Sequence, residues 1–131
     1  MLDSPDTVFS EAINIRSPLT QPGGAVDVSA AGETAITNVD PNRFGYILFL
    51  KLTCTTASTT VGDISLLDGP GGTVLQKFTQ PEAAASPGKE WCFPFPHPWK
   101  TNAKNKAFVL SLSVNTLGTW RVNVNGFFSA T

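Results

Sequence analysis

Apolar and polar residues alternate along the last third of the chain. Leu110, Leu112 and Val114 alternate with Ser111, Ser113 and Asn115; after a short Thr116-Leu117-Gly118 turn, Trp120, Val122 and Val124 alternate with Arg121, Asn123 and Asn125. A repeat of two sends successive side chains to opposite faces of a strand, so this final pair of segments has a core face and a wet face. The same pattern predicts strands upstream at 26–30, 34–39, 45–55, 61–68, 73–79 and 89–96, separated by turns such as Gly32-Glu33, Asp40-Pro41-Asn42 and Asp68-Gly69-Pro70-Gly71-Gly72. The segments at 61–68 and 73–79 read as a hairpin.

The segment 45–55 is the strongest strand. Tyr46, Leu48, Leu50, Leu52 and Cys54 fall on one face; Ile47, Phe49, Lys51, Thr53 and Thr55 fall on the other. Its first half is apolar on both faces, so one side of it is expected to be covered, by the N-terminal arm or by a neighbouring subunit. Residues 1–25 form that arm. Pro5, Pro18, Pro22, Gly23 and Gly24 interrupt short apolar pieces at Val8-Phe9 and Ile13–Ile15, and no period is sustained. An arm of this kind adds to a sheet edge or crosses to a partner, which makes Phe9, Ile13 and Ile15 candidate contact residues.

About eight short strands without an amphipathic helix of ten residues predict an all-β fold. The expected architecture is an antiparallel β-sandwich over 26–131, of jelly-roll topology, preceded by the extended arm. The predicted core is Leu48, Leu50, Leu52, Ile64, Leu66, Val74, Phe93, Leu110, Leu112, Val114, Trp120 and Val122.

Composition narrows the function classes. The chain has 131 residues, nine Lys and Arg against ten Asp and Glu, and 15% charged residues. Its few cations are scattered, so no basic stripe is available for nucleic acid. The cluster Lys100, Lys104 and Lys106 reads as a solvated loop. No stretch approaches the ~20 apolar residues of a membrane span, and the N-terminus lacks the pattern of a secretory leader. Cys54 and Cys92 sit within apolar strands and read as free core thiols.

Candidate chemistry is sparse. His97 is the sole histidine, flanked by Pro96 and Pro98, and reads as a loop residue. Two cysteines and one histidine do not compose a four-ligand zinc site, and Asp63 and Asp68 at the ends of a strand read as turn formers rather than calcium ligands. Glu90 is the one acid beside an aromatic, Trp91. Neither a cofactor nor a metal is expected, and the chain does not read as an enzyme. The distinctive local feature is Phe93-Pro94-Phe95-Pro96-His97-Pro98-Trp99. Its prolines confine it to a sheet edge or lift it off the sheet, and Phe95 and Trp99 are candidate aromatic anchors.

The order of these segments carries a resemblance. A variable start, ETAITNV, the strand GYILFLKL, a Thr/Ser loop, ISLLDGPGGTVL and the final FVLSLSV and WRVNVNGFF resemble, over residues 32–128, the small β-sandwich proteins of tailed-bacteriophage virions. The nearest class is the capsid decoration, or cement, proteins. The resemblance implies a structural protein on the capsid exterior, assembled in the host cytoplasm, whose partner is the major capsid protein. It also implies self-association, as a homotrimer or a dimer, and bridging of neighbouring capsomers. The alternative within the same group is a tail or fibre module that binds a receptor or carbohydrate, with Trp99 and Phe95 as the platform.

Overall fold

The structure, a computed structural model, describes residues 17–21, 24–80, 88–115 and 117–131; of Gln80 and residues 93–96 it describes the backbone alone. Phe9, Ile13 and Ile15 lie outside the described residues, as does most of the loop expected after residue 80. Nine strands are present among the described residues: β1 (Ser17–Pro18), β2 (Val26–Val28), β3 (Gly32–Ala35), β4 (Phe44–Thr56), β5 (Gly62–Leu67), β6 (Val74–Gln80), β7 (Glu90–Lys100), β8 (Val109–Leu112) and β9 (Thr119–Ser129).

The strands pair in a nested order. β5 pairs with β6, β4 with β7, β3 with β8 and β2 with β9, all antiparallel, so the chain runs as one long hairpin whose tip is the β5–β6 turn. Additional pairs, β4 with β9 and β5 with β8, roll that hairpin into two sheets. One sheet has five strands, β7-β4-β9 with β1 and β2 both on the far side of β9; the other has four, β3-β8-β5-β6. Ile47, Leu50, Leu52, Trp120 and Val122 from the first sheet meet Ile64, Leu66, Phe78, Leu110 and Leu112 from the second in a single buried cluster. The fold is an antiparallel β-sandwich. Its last two strands, adjacent in sequence and alike in pattern, lie in different sheets, and Leu117 between them is fully buried.

Trp120 occupies the centre of the core with no exposed surface, and its indole N–H donates to the Leu117 carbonyl at 2.8 Å. Trp91 of β7 stacks on it, with centroids 5.0 Å apart, and meets Phe78 of β6 at 5.8 Å. β7 and β6 are the edge strands of their sheets, so this aromatic run closes one open side of the sandwich.

Three residues expected in the core are at the surface: Leu48 at 39% exposure, Val74 at 46% and Val114 at 37%. For Leu48 the cause is a β-bulge. Opposite β9 the pairing steps from Ile47↔Gly126 to Phe49↔Asn125, which leaves Leu48 as the extra residue. A bulge reverses the alternation beyond it, so Gly45 and Ile47 point inward before it and Leu50, Leu52 and Cys54 after it. Val74 starts β6 beside a second irregularity, between Leu66 and Leu67. Val114 falls beyond β8, which ends at Leu112. Conversely, Ile36 and Phe108, outside any strand, are fully buried. The expected Gly32-Glu33 turn is instead the first half of β3. For Phe93 the backbone pairs with Leu50, and its side chain lies outside what is described.

Candidate interaction surface

Residues directly opposite one another in a sheet share a face, and the register places Pro18, Phe127, Tyr46 and Lys100 in one row across β1, β9, β4 and β7. Ile47 and Gly45, on either side of Tyr46, are buried. The row therefore faces outward. Tyr46 stacks on Phe127 with centroids 4.7 Å apart and planes 14° from parallel, and its hydroxyl donates to the Thr131 carbonyl at 2.6 Å. The Lys100 ammonium stands 3.9 Å from the Phe44 ring centroid and 5.7 Å from that of Tyr46; Lys104 lies 5.7 Å from Phe44. These are cation–π distances. Leu48 and Phe49 extend the apolar surface along β4.

The N-terminal segment is built into this end of the sheet. Ser17 and Pro18 pair with Phe128 and Phe127, and the Leu19 amide donates to the Gly126 carbonyl at 3.1 Å. Arg43 donates to the Ser17 hydroxyl at 2.9 Å, and that hydroxyl donates to Asp40 at 3.2 Å. The Gln21 amide nitrogen donates to the carbonyls of Ile36 and Val122, at 3.3 and 3.0 Å, while its oxygen accepts from the Val124 amide at 3.0 Å. One side chain thus joins the N-terminal segment to β9 and to the chain after β3. Within the expected arm, residues 17–21 are part of the sandwich.

Of the other predicted contact residues, Phe95 and Trp99 both belong to β7, on either side of a disruption. Opposite β4 the pairing passes from Phe49↔Pro94 to Ile47↔Trp99, so residues 95–98 of β7 have no counterpart on β4. Pro94, Pro96 and Pro98 carry no amide hydrogen, and an edge strand with an excursion accommodates them. His97 and Pro98 are exposed there. Trp99, opposite buried Ile47, packs half-buried against the core; the side chain of Phe95 lies outside what is described.

Neither cysteine is in a disulfide: Cys54 is buried as expected, its thiol donating to the Thr56 carbonyl at 3.2 Å, whereas Cys92, expected in the core, is exposed. Cys92 lies opposite Lys51, on the outer face, whereas Cys54 points into the core, so the sheet separates them. Burial pushes the Cys54 thiol up from its ordinary pKa. Among the described residues no cluster of three or more His, Cys, Asp and Glu could hold a metal ion, and no helix is long and apolar enough to cross a membrane.

Phe44, Tyr46, Phe127, Pro18 and Lys100 were not candidates from the sequence. Their signal was the apolar character of both faces of β4 at its start, but Tyr46 and Phe127 are brought together by register alone. No protein-family model matches the chain, and no curated protein sequence is similar enough to count as a relative.

Proposed function

We propose that the protein is a structural, non-enzymatic component of a tailed-phage virion that binds the outside of the expanded head and bridges neighbouring capsomers. The observation that carries this reading is the outward row Pro18–Phe127–Tyr46–Lys100 with Phe44 and Leu48 beside it, an aromatic and cationic surface placed where the N-terminal segment joins the sheet. Tyr and Phe are among the residues that protein interfaces enrich. The nested strand pairs support a jelly roll, in which the first strand pairs with the last and the second with the last but one; that topology is common in capsid and lectin domains.

In this reading the partner is the major capsid protein, and Phe9, Ile13 and Ile15 of the arm with Phe95 and Trp99 on β7 belong to the capsid or subunit interface. Packaged DNA pushes capsomers apart, and a protein that touches two of them resists separation through avidity even when each contact is weak. Counting copies of the chain in purified particles from its source, by quantitative mass spectrometry against the major structural protein, tests the proposal. Hundreds per particle are expected. A handful would move the protein to a tail or fibre, and none would remove it from the virion.

A further inference from the structure

We infer that the outward aromatic row is the seat for residues 1–16 of a second copy of this chain, so that the protein associates with itself by exchanging N-terminal segments. Four observations converge on this occupant. The outer face at the start of β4 displays Phe44, Tyr46, Leu48 and Phe49, with Phe127 stacked on Tyr46. Lys100 and Lys104 stand over this surface, and among the described residues neither has a carboxylate within ion-pair distance. Residues 1–16 have the complementary chemistry, with Val8, Phe9, Ile13 and Ile15 as apolar groups and Asp3, Asp6 and Glu11 against one cation, Arg16.

Direction supplies the fourth. β1 runs antiparallel to β9 with Ser17 opposite Phe128 and Pro18 opposite Phe127, so traced back from Pro18 to Ser17 the strand runs away from the row, toward the end of the sheet where Phe44 pairs with Ser129. Sixteen residues span at most about 50 Å, enough to reach the equivalent row of a neighbour. The ring of Tyr46 and the side chain of Leu48 would receive the apolar groups, and the two ammonium groups would receive the carboxylates. The inference concerns the purified chain alone and stands whether or not the partner of the assembly is a capsid.

The test uses the full chain. A photo-crosslinking benzoylphenylalanine is placed at Phe9 in an unlabelled copy, which is mixed with an isotope-labelled unmodified copy, and crosslinked peptides are identified by mass spectrometry. Crosslinks from the unlabelled copy to residues 44–49 or 126–128 of the labelled one are expected. Crosslinks confined to one copy, to another surface or absent altogether would overturn the inference. In sedimentation equilibrium, Lys100→Glu with Lys104→Glu should weaken self-association by roughly tenfold, since each exposed charge contact contributes modestly. Adding Asp3→Lys, Asp6→Lys and Glu11→Lys to the same chain should restore it. A chain that is monomeric at all concentrations, or a charge reversal without effect or without rescue, would also refute the exchange.

Discussion

The outer face of the five-stranded sheet carries two rows of different character, one at each end. At one end Pro18, Phe127, Tyr46 and Lys100 cross four strands; at the other, seven residues along β4, Asp27, Arg121, Thr53 and Glu90 cross four strands. Both rows face away from the core. In the second, charges answer one another: Arg121 pairs with Asp27 at 2.9 Å, and Lys51 approaches Glu90 at 3.8 Å. In the first, cations stand over aromatic rings instead. The central outer row of the four-stranded sheet, Glu33, Ser111, Ser65 and Lys77, is likewise polar. A face that meets water has no need of stacked aromatics for folding, so the aromatic end is the candidate interaction surface.

Both rows rest on one core, and Trp120→Ala should remove that support from both. Truncating so large a buried side chain costs about 3–5 kcal/mol, read as a lower denaturant midpoint at unchanged slope. A midpoint equal to that of the parent would show that the aromatic run Phe78–Trp91–Trp120 does not hold the sheets together. Gly126→Ala should then separate the rows. A Cβ at Gly126 would collide with the Tyr46 carbonyl oxygen, beside the bulge that exposes Leu48. Crowding of this kind costs about 1–3 kcal/mol. Hydrogen exchange should accelerate at residues 44–48 and not at 51–55; equal acceleration at both would mean that the bulge is not what sets the aromatic end apart.

Smaller still is the paired comparison of Tyr46→Ala with Thr53→Ala. Cross-strand aromatic contacts contribute about 0.2–1 kcal/mol, so Tyr46→Ala should lower stability by up to about 1 kcal/mol and Thr53→Ala by less. The contrast lies in association, which the first substitution should weaken and the second should leave alone. Equal effects on sedimentation would abolish the distinction between the rows.

Much of this architecture was legible in sequence. Periodicity located β4, β5, β6, β8 and β9 to within a few residues, because alternation between a dry and a wet face is the direct imprint of a two-layer fold. It misplaced Leu48, since a bulge is one inserted residue and alternation before and after it looks continuous where both faces are apolar. Ile36, Phe108 and Leu117 escaped because burial in a loop has no period. The aromatic row escaped for a different reason. Tyr46 and Phe127 are each unremarkable on an outward face and become a site through the β4–β9 register, a long-range property that no local pattern encodes. Cys54 and Cys92 follow the same logic, since their opposite orientations depend on register across β4 and β7.

The smallest expected effect lies in the ion-paired row and runs with pH. Arg121 holds the Asp27 carboxyl below the ordinary carboxylate range chiefly by its hydrogen bonds, against an opposing effect of desolvation, with its charge adding a lesser push in the same direction as the hydrogen bonds. The folded pKa is thus below the unfolded one. The pair's contribution is fully present above the unfolded value, about 3.9, and is lost as pH falls through the folded value, because the unfolded chain binds the proton more readily. Subtracting the unfolding midpoint of Asp27→Asn from that of the parent, across pH 6 to pH 2, removes the other carboxylates from the comparison. The difference should be small and flat at neutral pH and should shrink below about pH 4. The same profile for Lys100→Gln should show no such step, because among the described residues Lys100 stands over the Phe44 and Tyr46 rings and pairs with no carboxylate; a matching acid step in both would mean that the aromatic row, too, holds its cations with carboxylates of its own copy.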